Sequence, residues 1–306
     1  MSALVHRLAA ALKVDAAHRD RARSAWRRLI HWKPPYYREP TAWGLNTSLR
    51  KVRIVISLTS YPGRISTVHQ TINTLLTQSE KPDRLVLWLA ESQFPNREGD
   101  LPQSLLAQRS FGLEVRWCED LRSFKKLLPA LKAFPDAAIV TVDDDLFYHP
   151  DMLKELLVSY AADRESVHTQ GAMRIARAAD GTFLPYRRWR FSQELGCTMA
   201  AQLILGGSGT LYPPHLFDDE VFDRAKWERL VPRADDMWFW AMVLRAGRLV
   251  RLAHGGPLGC STNYNADNAM ALWNSNQQAE DGNDAQFAAV LEAYPEVFAA
   301  VSRCEG

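Results

Sequence analysis

From Lys51 onward, short apolar runs alternate with stretches whose apolar residues fall at helical spacing. Val52–Leu58, Arg84–Leu89, Leu113–Trp117 and Ala138–Val142 are aliphatic or β-branched runs, and each reads as a strand. Between them, Ser66–Thr77 sets Val68, Ile72, Leu75 and Leu76 on one helical face. Phe124–Phe134 does the same with Leu127, Leu128 and Leu131, and Pro150–Tyr160 is a further helix. Strands alternating with helices of this length imply an α/β protein with a doubly wound, mainly parallel sheet. After about residue 160 the regularity stops. Aromatics, Gly and Pro increase, with strands expected at Val167–Ile175 and Leu203–Leu205, a helix at Ala234–Ala246 and a last short strand at Leu249–Leu252. The pattern therefore suggests an N-terminal arm (1–50) and one domain (51–306). Within that domain, a nucleotide-type half (51–160) precedes a mixed half (161–306) that completes the pocket.

Composition narrows the class without naming it. Of the 306 residues, 47% are hydrophobic and 24% charged, as in ordinary globular proteins. Cys118, Cys197, Cys260 and Cys304 form no CxxC pair, so neither a zinc site nor a disulfide framework is indicated, and a reducing cytoplasm is the default. His6, Arg7 and Lys13 interrupt the N-terminus where a signal peptide needs an apolar core. The uncharged stretch Cys197–Phe217 is broken by Gly206-Gly207, Gly209 and Pro213-Pro214, which argues against a membrane span.

The net charge of +2 hides an asymmetry, since residues 1–40 carry nine Lys/Arg against three acids. Leu4, Leu8 and Leu12 share a helical face there, as do Ala22, Trp26, Leu29 and Ile30, before Pro34-Pro35 ends the pattern. Such a basic arm suits an anionic membrane surface, or it packs on protein; both readings stay open. No nucleic-acid partner is expected.

The densest chemistry is the triplet Asp143-Asp144-Asp145, at the carboxyl end of the fourth strand. Open α/β sheets bind ligands at that end. Carboxylates this close repel one another unless something positive lies among them. A divalent cation such as magnesium or manganese is the usual remedy, and a solvated acidic turn is the plainer alternative. A phosphohydrolase of the haloacid-dehalogenase kind needs DxDx[TV] after its first strand. Here Leu146-Phe147 follows the triplet, on the fourth strand.

Five segments occur in order: Ser57-Leu58-Thr59-Ser60-Tyr61-Pro62-Gly63-Arg64, Ser123-Phe124-Lys125-Lys126-Leu127-Leu128-Pro129-Ala130-Leu131, Val142-Asp143-Asp144-Asp145, Gly206-Gly207-Ser208-Gly209 and Ala234-Asp235-Asp236-Met237-Trp238. Together they resemble bacterial glycosyltransferases of the GT-A fold, similar to the family 2 enzymes, over about residues 51–300. The resemblance implies a metal-dependent, hexosyltransferase-type enzyme. It would move a sugar from a nucleotide-sugar donor, UDP-linked by expectation, to a glycan or lipid-linked glycan in surface polysaccharide or lipopolysaccharide synthesis. Non-catalytic sugar binding on the same fold is the alternative.

In that reading Asp145 and Asp143 hold manganese or magnesium, with His254 completing the site as in several similar enzymes; His254 alone is otherwise a structural histidine. Asp143 or Asp144 lies near the ribose or sugar. Thr59, Ser60 and Arg64 belong to the donor pocket, although Tyr61-Pro62-Gly63 is also simply a turn. Lys125 adds a point charge to the diphosphate, with Lys126 as its rival and a solvated helix-start lysine as the plain reading. Gly207 lets backbone approach the transferred sugar, or marks a bulge. Asp236 is the general base of an inverting transfer, ahead of Asp235, while one of the two acids suits a helix cap. Two segments stay unassigned. Asn263 to Asn276 resembles a flexible lid, and Arg187-Arg188-Trp189-Arg190 would meet an anionic or lipid-linked acceptor or merely cover the surface.

Overall fold

A computed structural model describes residues 33–253, 260–263 and 282–303. Its first half follows the alternation in the sequence. Strand β1 (Ile54–Thr59) leads through helix α1 (Val68–Leu76) to β2 (Arg84–Ala90), and a single turn, α2 (Gln103–Leu106), leads to β3 (Leu113–Cys118). Helix α3 (Leu128–Ala133) then precedes β4 (Ala138–Thr141), β5 (Leu146–Tyr148) and helix α4 (Met152–Ala162). The second half adds β6 (Val167–Thr169), β7 (Ala172–Arg174), β8 (Arg190–Phe191), β9 (Thr198–Met199), β10 (Gln202–Ile204) and β11 (Thr210–Tyr212). It closes with α5 (Arg224–Leu230), α6 (Asp235–Arg245), β12 (Val250–Leu252), β13 (Cys260–Thr262), α7 (Asn283–Ala293) and α8 (Pro295–Ser302).

Eight strands form the main sheet, in the order β3-β2-β1-β4-β11-β6-β12-β9. The first four are parallel, β11 runs antiparallel to both β4 and β6, and β12 is parallel to β6. The sheet is thus mainly parallel with a mixed second half. Side chains alternate across it as the pleat requires. Ile54, Ile56 and Leu58 pack with Val68, Ile72 and Leu75 of α1, whereas Val55 points to the opposite face, where Phe124 and α6 lie.

Helix α6 is buried nearly all round, from Met237 to Leu244, because α7 and α8 cover the side turned from the sheet. Its tryptophans still satisfy their N–H groups: Trp238 donates to the Val221 carbonyl at 3.0 Å and Trp240 to that of Ala200 at 2.9 Å.

Several expected elements come out differently. The helix expected over Phe124–Phe134 is a 3-10 turn, Arg122–Lys126, followed by α3. Pro129 is the reason, since it has no N–H to donate back to residue 125, and Leu127 leaves helical geometry at φ −120°. The strand expected over Val167–Ile175 splits at Gln170-Gly171 into β6 of the main sheet and β7 of a small sheet, β10-β7-β8. Helices α7 and α8 were not foreseen. Of the expected lid, only Asn263 lies within the described residues; it is buried, and its N–H donates to the Asp145 carbonyl at 2.7 Å.

Residues 33–50, at the end of the basic arm, lie against the domain. Tyr36 donates to the Phe147 carbonyl at 3.0 Å, Asn73 donates to the Tyr37 hydroxyl at 2.7 Å, and the Gly44 N–H donates to Phe111. The amphipathic pattern expected over residues 1–32 falls outside the described residues. Among the described residues no helix is long and apolar enough to cross a membrane.

Candidate active site

A cavity of about 540 Å³ opens at the carboxyl ends of β1, β3 and β4. Thr59, Ser60, Arg64, Gln93, Asp120 and Lys125 line it, together with Tyr186, Leu203, Leu205, Arg233, Asp236, Asn283 and the aspartate triplet.

The triplet is not left to repel itself. Ser60 donates to Asp144 Oδ2 at 2.6 Å, and the Arg64 guanidinium bridges Asp144 Oδ1 at 2.7 Å and Asp145 Oδ2 at 3.0 Å. Burial works against the charge on Arg64, yet Asp144 and Asp145 hold its pKa above the ordinary value. Asp144 is only 5% exposed. Burial raises its pKa, while Arg64 and Ser60 work against the rise. Asp144 therefore anchors the turn to β1. The positive charge that the crowded carboxylates require is thus supplied in part by two protein cations, Arg64 and Lys126.

Lys126 is the hub. Its ammonium lies 3.0 Å from Asp143 Oδ1, 3.1 Å from Asp235 Oδ2 and 3.6 Å from Asp236 Oδ1. It is 5% exposed, and three carboxylates overcome the cost of burial to raise its pKa well above the usual range. The acids after β4 and those opening α6 thus share one counter-charge. Lys125 is buried as well, so it is not a solvated helix-start lysine. Its ammonium is engaged by Asp120 at 2.7 Å, and Gln93 donates to the same carboxylate. Pattern alone could not rank two adjacent lysines.

Asp235 and Asp236 also part company. The helix cap is Ala234, with no capping side chain, so neither acid plays the expected cap role. Asp235 is buried on Lys126, whereas the Asp236 side chain keeps 28% exposure towards the cavity. Burial pushes Asp236 up to about 7, opposed by Lys126 and reinforced by Asp235 and Asp143. Its charge, after burial, helps push the Tyr186 phenol up to about 12.

The glycine turn fits against these acids. A β-carbon on Gly206 would lie 2.5 Å from Asp236 Oδ1. Tyr148, which the sequence did not single out, accepts the Asp143 N–H at 2.7 Å and donates to the Gly207 carbonyl, tying triplet to turn. Thr59 lines the cavity, but its hydroxyl donates to the Trp88 carbonyl at 2.8 Å. His254 lies outside the described residues.

Among the described residues no three His, Cys, Asp or Glu side chains are arranged to hold a metal ion. The donor chemistry nonetheless fits a hard cation. Burial and then Asp143 push Asp145 up to about 7, so these two carboxylates retain unrelieved repulsion. Arg64 takes one oxygen of Asp145 and Lys126 one of Asp143, leaving the other oxygen of each outside these ion pairs. One or two carboxylates, with phosphate and water completing the shell, is how magnesium is commonly bound.

No protein-family profile and no curated protein matches the chain. Solved structures do. A mannosyltransferase from Pyrobaculum calidifontis, in complex with GDP-mannose and Mn2+, is 13% identical; the alignment covers 96% of this chain and 80% of that one, with a TM-score of 0.50. TarS from S. aureus is 13% identical over 66% of this chain and 58% of its own, at 0.41. A CMP:2-keto-3-deoxy-manno-octonic acid synthetase complexed with CTP is 11% identical over 65% and 88%, at 0.38. The chain has the nucleotide-diphospho-sugar transferase fold, GT-A. At these identities the likeness is one of fold.

Proposed function

We propose that the chain is a glycosyltransferase that moves a sugar from a nucleotide-sugar donor to a glycan hydroxyl, assisted by a divalent metal. One observation carries the reading: acids from the end of β4 and the start of α6 meet on Lys126 inside a single cavity. The nucleotide is assigned to Thr59, Ser60, Arg64 and Lys125, and the transferred sugar to the neighbourhood of Asp143, against which Gly207 packs. The acceptor is assigned to the part of the lining that holds Tyr186 and Asp236. Asp143 and Asp145 would hold manganese or magnesium, which when bound offsets charge gathering on the departing diphosphate.

The acceptor oxygen attacks the anomeric carbon, the bond from that carbon to the diphosphate oxygen breaks, and the hydroxyl proton passes to Asp236. A carboxyl pushed up to about 7 is suited to that work near neutral pH. One displacement with one base gives inversion. A UDP-sugar donor and a lipid-linked or polysaccharide acceptor belong to the same proposal. The GDP-mannose and Mn2+ bound by the similar mannosyltransferase add GDP-mannose to the donors worth testing.

Calorimetry with UDP and GDP, in manganese and in chelator, tests the donor and metal assignments together. Binding should be at least about tenfold tighter with manganese, and Asp145→Asn should remove most of that gain. Equal affinity in chelator and manganese would refute the metal assignment. Nucleotide binding without release of sugar from any nucleotide sugar would favour the non-catalytic alternative.

A further inference from the structure

The arginine run singled out in the sequence lies beside the part of the cavity lining assigned to the acceptor. Its 3-10 turn, Tyr186–Arg188, sends Tyr186 into the cavity, while Arg187, Arg188 and Arg190 are exposed. The turn is firmly mounted. The Tyr186 N–H donates to Asp284 Oδ1 at 2.6 Å, and buried Trp189 donates to the Leu184 carbonyl at 2.8 Å and meets the Phe287 ring edge-on at 5.0 Å. Arg190 donates to the backbone carbonyls of Arg188 and Trp189. Among the described residues no carboxylate pairs with any of the three guanidinium groups. Glu194, the acid of this loop, lies 3.9 Å from Arg174.

Large apolar side chains stand exposed on the same stretch. Phe191 is 51% and Leu195 59% exposed. Val158 of α4, 66% exposed, lines a shallow groove of about 380 Å³ with Leu195, where Lys154 and Arg251 stand beside Asp151 and Glu155. Arginines without carboxylate partners, beside a protruding phenylalanine and leucine, match a layer of anionic headgroups over acyl chains. Guanidinium groups engage phosphate there, and apolar tips enter the boundary beneath. A soluble anionic glycan would use the arginines and leave Phe191 and Leu195 in water.

We propose that the loop 186–196, with Val158 beside it, docks on an anionic lipid surface. The proposal uses no residue of the basic N-terminal arm and does not depend on the transfer chemistry. It would hold the cavity lining at Tyr186 towards the membrane, where a lipid-linked acceptor could enter.

The test is co-sedimentation of the full-length chain with vesicles of three parts phosphatidylcholine to one part phosphatidylglycerol, and with phosphatidylcholine alone. Each arginine near an anionic surface contributes roughly fivefold in affinity. Replacing Arg187, Arg188 and Arg190 by Gln should therefore lower partitioning to the anionic vesicles by on the order of 100-fold. Phe191→Ser, a single exposed change that leaves folding intact, should lower it by about tenfold, while UDP and GDP binding stays unchanged in both variants. Wild-type partitioning by both variants would overturn the proposal. So would loss of binding to soluble polygalacturonate with vesicle binding retained, because the surface would then read a glycan.

Discussion

Gly207 faces Asp143 so closely that a β-carbon at position 207 would lie 1.8 Å from Asp143 Oδ2. No rotamer change on the glycine side can relieve that contact, so any larger residue must displace the carboxylate. Gly207→Ala should weaken manganese-dependent binding of UDP or GDP by about tenfold or more, in the range of losses for disturbed metal-site shells. Gly99→Ala, where a β-carbon meets only an ordinary 3.4 Å contact, is the control and should bind as wild type. Calorimetry on both variants checks it.

The two acids opening α6 should separate in kinetics. Asp236→Asn should bind nucleotide sugar with metal almost normally and lose roughly 100-fold or more in transfer, the size of a general-base contribution. Asp235→Asn should act mainly through stability, since it removes a buried carboxylate from Lys126. Single-turnover assays beside thermal melts distinguish the two. Near-normal transfer by Asp236→Asn would move the base elsewhere.

Titration gives a third expectation. A base at Asp236, as proposed, would act only when ionised, so kcat/KM should rise with pH through about 7 and level off above it. Its folded pKa lies above the ordinary 3.8, so the folded chain binds more protons than the unfolded one between those values. The favourable contribution is fully present below about 3.8 and is lost as pH rises through about 7. Asp236→Asn should remove the Asp236 share of that decline in urea melts run across this window.

Lys126→Met leaves Asp143, Asp235 and Asp236 without their shared cation. Removing one side of a buried charge cluster costs about 3 kcal/mol or more, so urea unfolding should show a loss of that order. Lys126→Arg should recover part of it. Comparable stability of Lys126→Met and wild type would mean that the three carboxylates are offset by other groups.

The parallel half of the sheet was legible because β1, β2 and β4 are mainly apolar runs with helical spacing between them. Strand β11 was not, since Thr210–Tyr212 is three residues long and borders the glycine turn. Helix α6 was placed to within a residue, yet its burial on all sides depends on α8 and on α7, and the apolar positions of α7 carry little helical periodicity. For the site, sequence brought Asp143, Asp145, Gly207 and Asp236 to notice. It could not see that Asp144, Ser60 and Arg64 hold one another, or that Lys126 sits at the centre, because those pairings join residues up to 110 positions apart in sequence. Tyr148 gave no signal beyond being an aromatic after an acidic turn.

Strands β6 and β11 lie side by side with Thr169 opposite Thr210, the two hydroxyls hydrogen-bonded at 2.8 Å. Most of the chain between them, residues 170–209, therefore departs from the main sheet, pairing with it only where β9 joins β12 at the far edge, and returns at one spot, closed again where the Gln170 N–H donates to the Gly209 carbonyl. That excursion carries the small β10-β7-β8 sheet, Tyr186 and the arginine run. In evolutionary terms the stretch ahead of the Gly206–Gly209 turn is free to change in length and sequence while β4 and β11 stay in register, whereas the turn itself is not, because Gly206 and Gly207 seat Asp236 and Asp143.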